Sequence, residues 1–301
     1  MRTTRVIAVA AIAVACAALV AGTGAAAKPK NVCPNGKVRF GVEPYDSGPQ
    51  FTGAYQALTK ALQTNLNCPV QLIVTNNYTA EVEAMRAKQL DVGEFGPLGY
   101  IFAHKLAKAQ PVAVFGTAER KPVTYTAALW VPDASPIQHV ADLKGHTVAF
   151  SDPASTSGNL FPRYAIIKAG LNPDTDVTIQ FAGSHSASLL ALTNGKVDCA
   201  EVNSQQQATA SAAGQFDTTK FRPIWRSKPI PNDPITVRGD LPKAFRTAFT
   251  KALLKLKPAQ LKLVDTELGV DSGPMIPGTD AMFNPVRAVV AAEGLKISQI
   301  G

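Results

Sequence analysis

Cysteine and histidine are both scarce in this sequence of 301 residues, which contains four of each. The histidines are scattered and no Cys-x-x-Cys pair occurs, so the ligand spacing typical of a zinc site is missing. Charged residues make up only 17%, and the net charge of +8 is spread along the chain without a run of five like charges. So thin a positive charge does not indicate a nucleic-acid groove. We therefore expect no metal, no cofactor and no nucleic-acid partner.

Long apolar runs are rare too, and the one that occurs lies near the start of the sequence. Residues 6–21 follow two arginines and precede a small-residue segment that ends at Ala27. This pattern is typical of a secretory signal peptide, and the run is shorter than the roughly 20 residues of a membrane span. We predict a signal peptide over residues 1–27 and an exported protein that is periplasmic, at the cell surface or secreted. A lipid anchor on Cys16 is the less favoured alternative, because apolar residues continue past it.

Apolar residues nevertheless make up 46% of the sequence, which excludes a disordered chain and allows a large core. Strand-like and helix-like patterns alternate along it. Residues 38–42 and 70–74 read as strands, residues 51–66 have helical spacing of apolar positions, and Thr79 is predicted to cap a helix with Glu81 in its first turn. Such alternation is typical of an α/β fold with largely parallel sheets.

Three cysteines follow the predicted signal peptide, and two of them precede neighbouring strands. Cys33 comes before the first predicted strand and Cys68 before the second. If these strands are parallel neighbours, their starts are adjacent, so we predict a disulfide between Cys33 and Cys68. Cys199 lies within an apolar strand and is expected to be a buried thiol.

The sequence contains an internal duplication. The segments VRFGVEP (residues 38–44) and TVAFSDP (residues 147–153) are both strands that end in an acid followed by proline. Asp91 and Asp198 follow these prolines at nearly the same spacing, each at a corner between a helix and a short strand. Two such halves predict two α/β lobes with a ligand cleft between them.

The chain is predicted to cross between the lobes twice. Residues 124–131 lead out of the first half, and residues 222–227 are read as the return. We expect lobe 1 to contain residues 28–122 and 229–301, and lobe 2 to contain residues 123–228. Two crossings form a hinge, which allows the lobes to close on a ligand.

The strongest local signal is a set of three adjacent hydroxyls in DPASTSG (residues 152–158). Ser155, Thr156 and Ser157 follow a strand and precede a helix predicted from about Asn159, where unpaired backbone N–H groups and the positive end of the helix dipole are available. This arrangement suits an oxyanion such as a phosphoryl group. Simple helix capping is the alternative, although it needs only one hydroxyl.

His185 follows the next strand and precedes a helix, so it could donate a further hydrogen bond to the same anion. Ser157 and His185 could also be imagined as a nucleophile and its base. No Gly-x-Ser-x-Gly turn is present, however, and no acid stands out as a third member. We therefore predict binding and no catalytic residues.

These motifs resemble the phosphonate, phosphite and phosphate-binding proteins of ABC importers. The resemblance rests on DPASTSG, NNYTAE, VTYTAA, NGKVD, IPNDP and MFNPVRAVVAAEGL, and it extends over nearly all of the sequence after the signal peptide. It implies a type II periplasmic-binding-protein fold, with two α/β lobes joined by a hinge of two crossing strands. It also implies a small anionic ligand, an ABC permease as membrane partner, and a monomer.

The resemblance assigns ligand contacts residue by residue. The family's ligand tyrosines fall on Tyr78 and Tyr125, and its phosphoryl-binding residues fall on Ser155, Thr156 and Ser157 with His185. Asp233, in IPNDP, would accept a hydrogen bond from a P–OH group. Tyr45 is not assigned.

One position departs from the family's aminoalkylphosphonate binders. They carry a glutamate where this chain has Gln205, and that carboxylate pairs with the ligand ammonium. A half-paired buried ammonium costs several kcal/mol. The neutral Gln205 therefore favours phosphite, phosphate or a small alkylphosphonate, with 2-aminoethylphosphonate or a sulfonate as alternatives.

Overall fold

The computed structural model describes residues 33–270 and 273–294. The predicted signal peptide, with its cleavage site and Cys16, lies outside the described residues. Within them, no helix is both long enough and apolar enough to cross a membrane.

Strands and α-helices alternate along the described chain, as the sequence predicts. In chain order they are β1 (Val38–Val42), α1 (Pro49–Leu66), β2 (Val70–Val74), α2 (Tyr78–Arg86), β3 (Val92–Glu94), α3 (Pro97–Ala107), β4 (Gln110–Phe115), β5 (Thr124–Tyr125), β6 (Ala128–Pro132), β7 (Thr147–Phe150), α4 (Phe161–Lys168), β8 (Thr178–Phe181), α5 (His185–Thr193), β9 (Cys199–Glu201), α6 (Ser204–Ala212), β10 (Phe221–Arg226), β11 (Ile230–Pro231), β12 (Pro234–Val237), α7 (Lys243–Leu254), α8 (Pro258–Glu267), β13 (Met275–Ile276) and α9 (Asn284–Glu293).

The strands form two mixed sheets, which we take as the centres of lobe 1 and lobe 2. The lobe 1 sheet has the order β13-β4-β12-β3-β1-β2, and the lobe 2 sheet has the order β10-β6-β9-β7-β8. In lobe 1, β1 pairs in parallel with β2 and β3, while β12 and β13 are antiparallel to their neighbours. In lobe 2, β7 pairs in parallel with β8 and β9 in the same way. The predicted two-lobed α/β fold is confirmed.

The chain crosses between the two sheets twice, but the return predicted over residues 222–227 is wrong: those residues lie in β10 of the lobe 2 sheet, and the chain returns through β11. The short strands β5 and β11 pair with each other in antiparallel fashion and form a ladder of their own between the two sheets. The single strand predicted over residues 124–131 is wrong in detail. It is divided into β5 and β6, because the chain leaves the ladder at Thr126 and enters the lobe 2 sheet at Ala128.

The internal duplication is visible in the hydrogen bonds of the two aspartates. Asp91 precedes β3 and accepts a hydrogen bond from the backbone N–H of Arg39 in β1 (3.0 Å). Asp198 precedes β9 and accepts one from the backbone N–H of Thr147 in β7 (2.8 Å). In each lobe, an equivalent aspartate therefore joins the two equivalent parallel strands.

Apolar residues pack against both faces of each sheet. In α1, Phe51, Tyr55, Leu58 and Leu62 recur at helical spacing and are buried against lobe 1. The predicted start of α2 is wrong by two residues: Asn77, and not Thr79, caps the helix by accepting a hydrogen bond from Ala80. Helix α2 therefore turns Glu81 inwards, where it is fully buried.

The predicted disulfide is confirmed. Strands β1 and β2 are parallel neighbours with Val38 opposite Val70, so the residues before them are adjacent. Cys33 and Cys68 are bonded, with their Cα atoms 5.9 Å apart. Cys199 is a buried free cysteine in β9, as expected.

The two equivalent aspartates should differ strongly in their effect on stability. Asp91 is 1% exposed and also contacts the guanidinium groups of Arg39 and Arg238, whereas the Asp198 side chain is about half exposed. Replacing Asp91 with alanine leaves the part-buried Arg39 without its carboxylate and takes one of two carboxylates from Arg238, so we expect Asp91→Ala to cost about 3–5 kcal/mol. Asp198→Ala should cost only about 1 kcal/mol. Denaturant unfolding of both variants measures the difference, and equal losses would contradict it.

Candidate ligand-binding cavity

A small cavity of about 40 Å³ lies between the lobes, at the carboxyl ends of the parallel strands of both sheets. This is the edge at which α/β sheets bind ligands. All eight residues predicted from the sequence line it: Tyr78, Tyr125, Ser155, Thr156, Ser157, His185, Gln205 and Asp233. The structure therefore brings together all eight predicted residues, which come from the two lobes and their crossings.

Ser155, Thr156 and Ser157, which we call the hydroxyl turn, begin a π-helical turn that continues into α4. The helix thus starts before the predicted Asn159. The Ser155 hydroxyl caps it by accepting a hydrogen bond from the Gly158 N–H (3.1 Å). A Cβ at Gly158 would lie 1.7 Å from Ser151 Oγ, so only glycine fits there. Backbone N–H groups at this helix start lack intrahelical partners and are available to an anion.

His185 is the first residue of α5 and is 5% exposed. Its Nδ1 lies 2.8 Å from Glu201 Oε1, and its Nε2 lies 3.4 Å from Ser155 Oγ. Burial lowers the pKa of His185, but the Glu201 carboxylate outweighs it, so the net shift is upwards. Because Nδ1 is paired with Glu201, Nε2 is the ring nitrogen that can donate to a ligand.

The expectation that no acid accompanies Ser and His is wrong, because Glu201 completes a Ser155–His185–Glu201 series. This series does not favour a nucleophile. The Ser155 hydroxyl lies 3.4 Å from His185 Nε2, longer than the hydrogen bond expected between a nucleophile and its base. Ser155 is 2% exposed and its hydroxyl is already used as the helix cap.

The two predicted tyrosines cover the hydroxyl turn. Tyr78 is the first residue of α2, and its buried hydroxyl has no hydrogen-bond partner among the described residues. The Tyr125 hydroxyl, in the crossing strand β5, is in hydrogen-bonding contact with Ser157 and Thr156. Both tyrosines therefore present a phenol group to the cavity.

Asp233 and Gln205 lie on the side of the cavity next to the crossings. Asp233 follows β11, and burial raises the pKa of its carboxyl to about 7. The Gln205 amide nitrogen lies 3.5 Å from Asn232 Oδ1, so it contacts the turn that carries Asp233.

Sequence reasoning missed several residues of the cavity wall. They are Glu43, Tyr45, Asp46, Asn203 and Glu267. The duplication places acids at equivalent positions of the two lobes, and this repeat could have indicated them. Glu43 follows β1 as Asp152 follows β7, and Glu94 stands three residues after Asp91 as Glu201 stands three residues after Asp198.

The cavity is rich in acids and poor in cations. None of the described residues that line it is lysine or arginine, while four are aspartate or glutamate. Among the described residues, no group of three or more His, Cys, Asp or Glu is arranged to hold a metal ion. Burial raises the pKa values of two acids of the wall, Glu43 and Asp233. It also raises the pKa of Glu94, at the end of β3, to about 8.

The lobes contact each other over the cavity. Thr156 of the hydroxyl turn accepts a hydrogen bond from the Leu98 N–H of α3 (2.9 Å). The His185 N–H donates to the Tyr45 carbonyl (3.2 Å), and the Ser186 hydroxyl donates to Asp46 (2.6 Å). The structure is thus a closed form of the two lobes.

The family model for periplasmic substrate-binding proteins of phosphonate ABC transporters matches residues 40–279. The chain belongs to this family. The phosphate-import protein PhnD of Mycolicibacterium smegmatis is 28% identical over 234 residues, which cover 73% of this chain and 73% of that protein. The phosphonates-binding periplasmic protein of Escherichia coli is 27% identical over 244 residues, which cover 79% of this chain and 70% of that protein.

The fold of this family member is also that of solved structures. PhnD1 from Prochlorococcus marinus, in complex with methylphosphonate, aligns with a TM-score of 0.76 and covers 87% of this chain and 99% of its own. Because the two sequences are only 19% identical, this similarity shows a shared fold and nothing more.

The buried carboxyls should make the stability of the protein depend on pH. Glu94 has a pKa of about 8 in the folded protein, against about 4.3 in an unfolded chain. The folded state therefore binds more protons between these values, and stability falls as the pH rises through this window. We expect a lower unfolding temperature at pH 8.5 than at pH 5.5.

The variant Glu94→Gln should flatten this dependence, because its amide can still accept the Tyr55 hydrogen bond without titrating. The difference in unfolding free energy between the two pH values should shrink by an amount on the order of 2 kcal/mol. Glu119→Gln, at an exposed position, is the control and should keep the wild-type dependence. An unchanged dependence in Glu94→Gln would contradict the assignment.

Proposed function

We propose that this chain is the extracytoplasmic solute-binding protein of an ABC importer and that it captures a phosphorus oxyanion between its lobes. The observation that carries the proposal is the convergence of the hydroxyl turn, the cationic His185 and the two tyrosine hydroxyls on one cavity. Family membership supports the transport role, and the two relatives are named for phosphate import and for phosphonate binding.

The capture step follows from the geometry of the two lobes. Lobe 2 supplies the hydroxyl turn and His185, lobe 1 supplies Tyr78, and the crossings supply Tyr125 and Asp233. Closure removes the ligand from water, which strengthens each hydrogen bond to it. We propose the lobe limits of residues 28–122 with 229–301 and residues 123–228, with β5 and β11 as the hinge.

The remaining parts of the proposal concern where the protein works. We propose that it is exported, that it acts as a monomer and that the closed form docks on a membrane permease. Periplasmic location is what the name of the Escherichia coli relative states of that protein.

Asp233 selects phosphorus oxyanions over fully deprotonated ones. A carboxylate can accept a hydrogen bond from a P–OH group, whereas sulfate and sulfonates have no such proton at neutral pH. The neutral Gln205 beside it favours phosphite, phosphate or a small alkylphosphonate. We keep 2-aminoethylphosphonate as the alternative ligand.

Removing either of two donors should weaken binding. Because a hydrogen bond to a charged ligand contributes about 1.5–3 kcal/mol, Ser157→Ala and His185→Ala should each weaken binding by about tenfold or more. Titration calorimetry measures the loss. The controls are Ser211→Ala and His139→Ala, which remove the same groups from the exposed surface of lobe 2. Wild-type affinity in both cavity variants would exclude this site.

The ligand class is tested with the mature protein, purified free of phosphate. Thermal shifts and titrations with phosphite, phosphate, methylphosphonate, 2-aminoethylphosphonate and sulfate should show binding of at least one of the first three and none of sulfate. Preference for 2-aminoethylphosphonate would keep the function and contradict the interpretation of Gln205. Binding of no phosphorus oxyanion would contradict the function.

A further inference from the structure

Glu43 is a cavity residue whose carboxyl group is only half used. It directly follows β1, is 3% exposed and lines the cavity. Its carboxyl contacts the Gly96 N–H, and a Cβ at Gly96 would lie 2.8 Å from Oε1, so this oxygen packs closely on the start of α3. Oε2 is buried and has no hydrogen-bond partner among the described residues. Both oxygens pack against the start of α3, but Oε2 is left without a hydrogen-bond partner in a residue that lines the cavity.

The groups that face Glu43 are mostly acids. The acids whose charges raise the pKa of Glu43 are Asp233 after β11, Glu81 from α2 and Asp152 after β7, and Glu43 in turn raises the pKa of the Tyr78 hydroxyl. The cation of the cavity wall, His185, is already paired with Glu201 at 2.8 Å. An ionised Glu43 in the closed form would be a buried charge without a counter-ion, which is costly.

A captured oxyanion makes that cost larger. It brings further negative charge into a cavity whose described wall contains no lysine or arginine. A carboxylate and an oxyanion repel each other, whereas a protonated carboxyl is a donor and forms a short, strong hydrogen bond with an oxyanion. The free oxygen of Glu43 is thus useful to the ligand only in the protonated form.

We propose that Glu43 binds the captured oxyanion as a neutral carboxylic acid, with Oε2 donating a hydrogen bond to a ligand oxygen, so that capture takes up one proton from solvent. The inference rests on the proposed function and names a further specificity-determining residue of the same cavity. In the open form, water reaches Glu43 and the carboxyl is ionised at neutral pH. Closure buries it, and a proton from solvent adds to the carboxylate oxygen Oε2, which forms the O–H that donates to the ligand.

This arrangement gives the cavity two carboxyl groups with opposite roles, one a hydrogen-bond donor and the other an acceptor. Glu43 donates to a bare oxygen of the ligand, while Asp233 accepts from its P–OH group. Burial and the neighbouring Asp233 and Glu81 raise the pKa of Glu43, in agreement with the neutral form. Because binding consumes a proton, affinity should fall as the pH rises above neutrality.

The test is calorimetric titration of the mature protein with methylphosphonate and with inorganic phosphate, at one pH in two buffers of different ionisation enthalpy. The difference between the buffers gives the number of protons taken up. The ligand's own ionisation is the same for every variant, so a comparison of variants isolates Glu43. We expect the wild type and the surface control Glu119→Gln to take up about one proton more than Glu43→Gln.

Affinity distinguishes the neutral form from the ionised form. The amide of Glu43→Gln can replace the donor, so at pH 6 this variant should bind within threefold of the wild type. Between pH 6 and pH 8.5 the wild type should lose about tenfold more affinity than the variant. Glu43→Leu has no donor and should bind at least tenfold more weakly, with cooperative thermal unfolding as the control for folding.

Three outcomes would overturn the inference. The first is equal proton uptake by the wild type and Glu43→Gln. The second is wild-type affinity in a folded Glu43→Leu variant. The third is a tenfold or greater loss for 2-aminoethylphosphonate in Glu43→Gln with methylphosphonate unchanged, which would make Glu43 an ionised partner of a ligand ammonium. If the wild type itself binds no phosphorus oxyanion, the proposed function falls together with the inference, and that result is recognised without any variant.

Discussion

A buried anion site needs positive charge or hydrogen-bond donors, and this cavity offers hydrogen-bond donors but little positive charge. Its described wall contains no lysine or arginine, and its imidazole is paired with Glu201. The work of holding an oxyanion therefore falls on hydroxyl groups, on the backbone N–H groups of a helix start and on one imidazolium. Such donors act strongly only when water is excluded. Closure of the two lobes is therefore needed for tight binding, as well as being a result of it.

The internal duplication explains how one plan produces two different walls. Asp91 and Asp198 join equivalent strands, and Tyr78 and His185 are the first residues of equivalent helices, α2 and α5. In lobe 2 these positions hold His185 and, after β7, the hydroxyl turn, which we propose as the anion site. Lobe 1 uses the same positions for a tyrosine and the acid Glu43. An anion held between them is bound firmly on one side and contacts protonatable groups on the other.

Local patterns in the sequence were sufficient to predict much of this. Strand–helix alternation gave the α/β class, the positions of Cys33 and Cys68 before two strands gave the disulfide, and hydroxyls between a strand and a helix gave the anion-binding turn. The eight ligand residues came from the family resemblance together with these patterns, and all eight line one cavity. Their contribution to binding is a prediction for experiment.

What the sequence did not show depends on contacts between distant segments. Glu201 is adjacent to His185 only because β9 lies next to β7, so the acid could not be recognised from spacing. Glu81 lies in the first turn of α2, as expected, but it is fully buried, which the local spacing did not indicate. Glu43 follows a strand as Asp152 does, and the duplication could have identified it.

The most direct test of the account is a crystal structure of the mature protein with methylphosphonate bound. We predict closed lobes with the phosphonate oxygens within hydrogen-bonding distance, about 2.6–3.2 Å, of the hydroxyl turn and of His185 Nε2. A methylphosphonate bound elsewhere, or closed lobes with the hydroxyl turn making no contact with the ligand, would contradict the account.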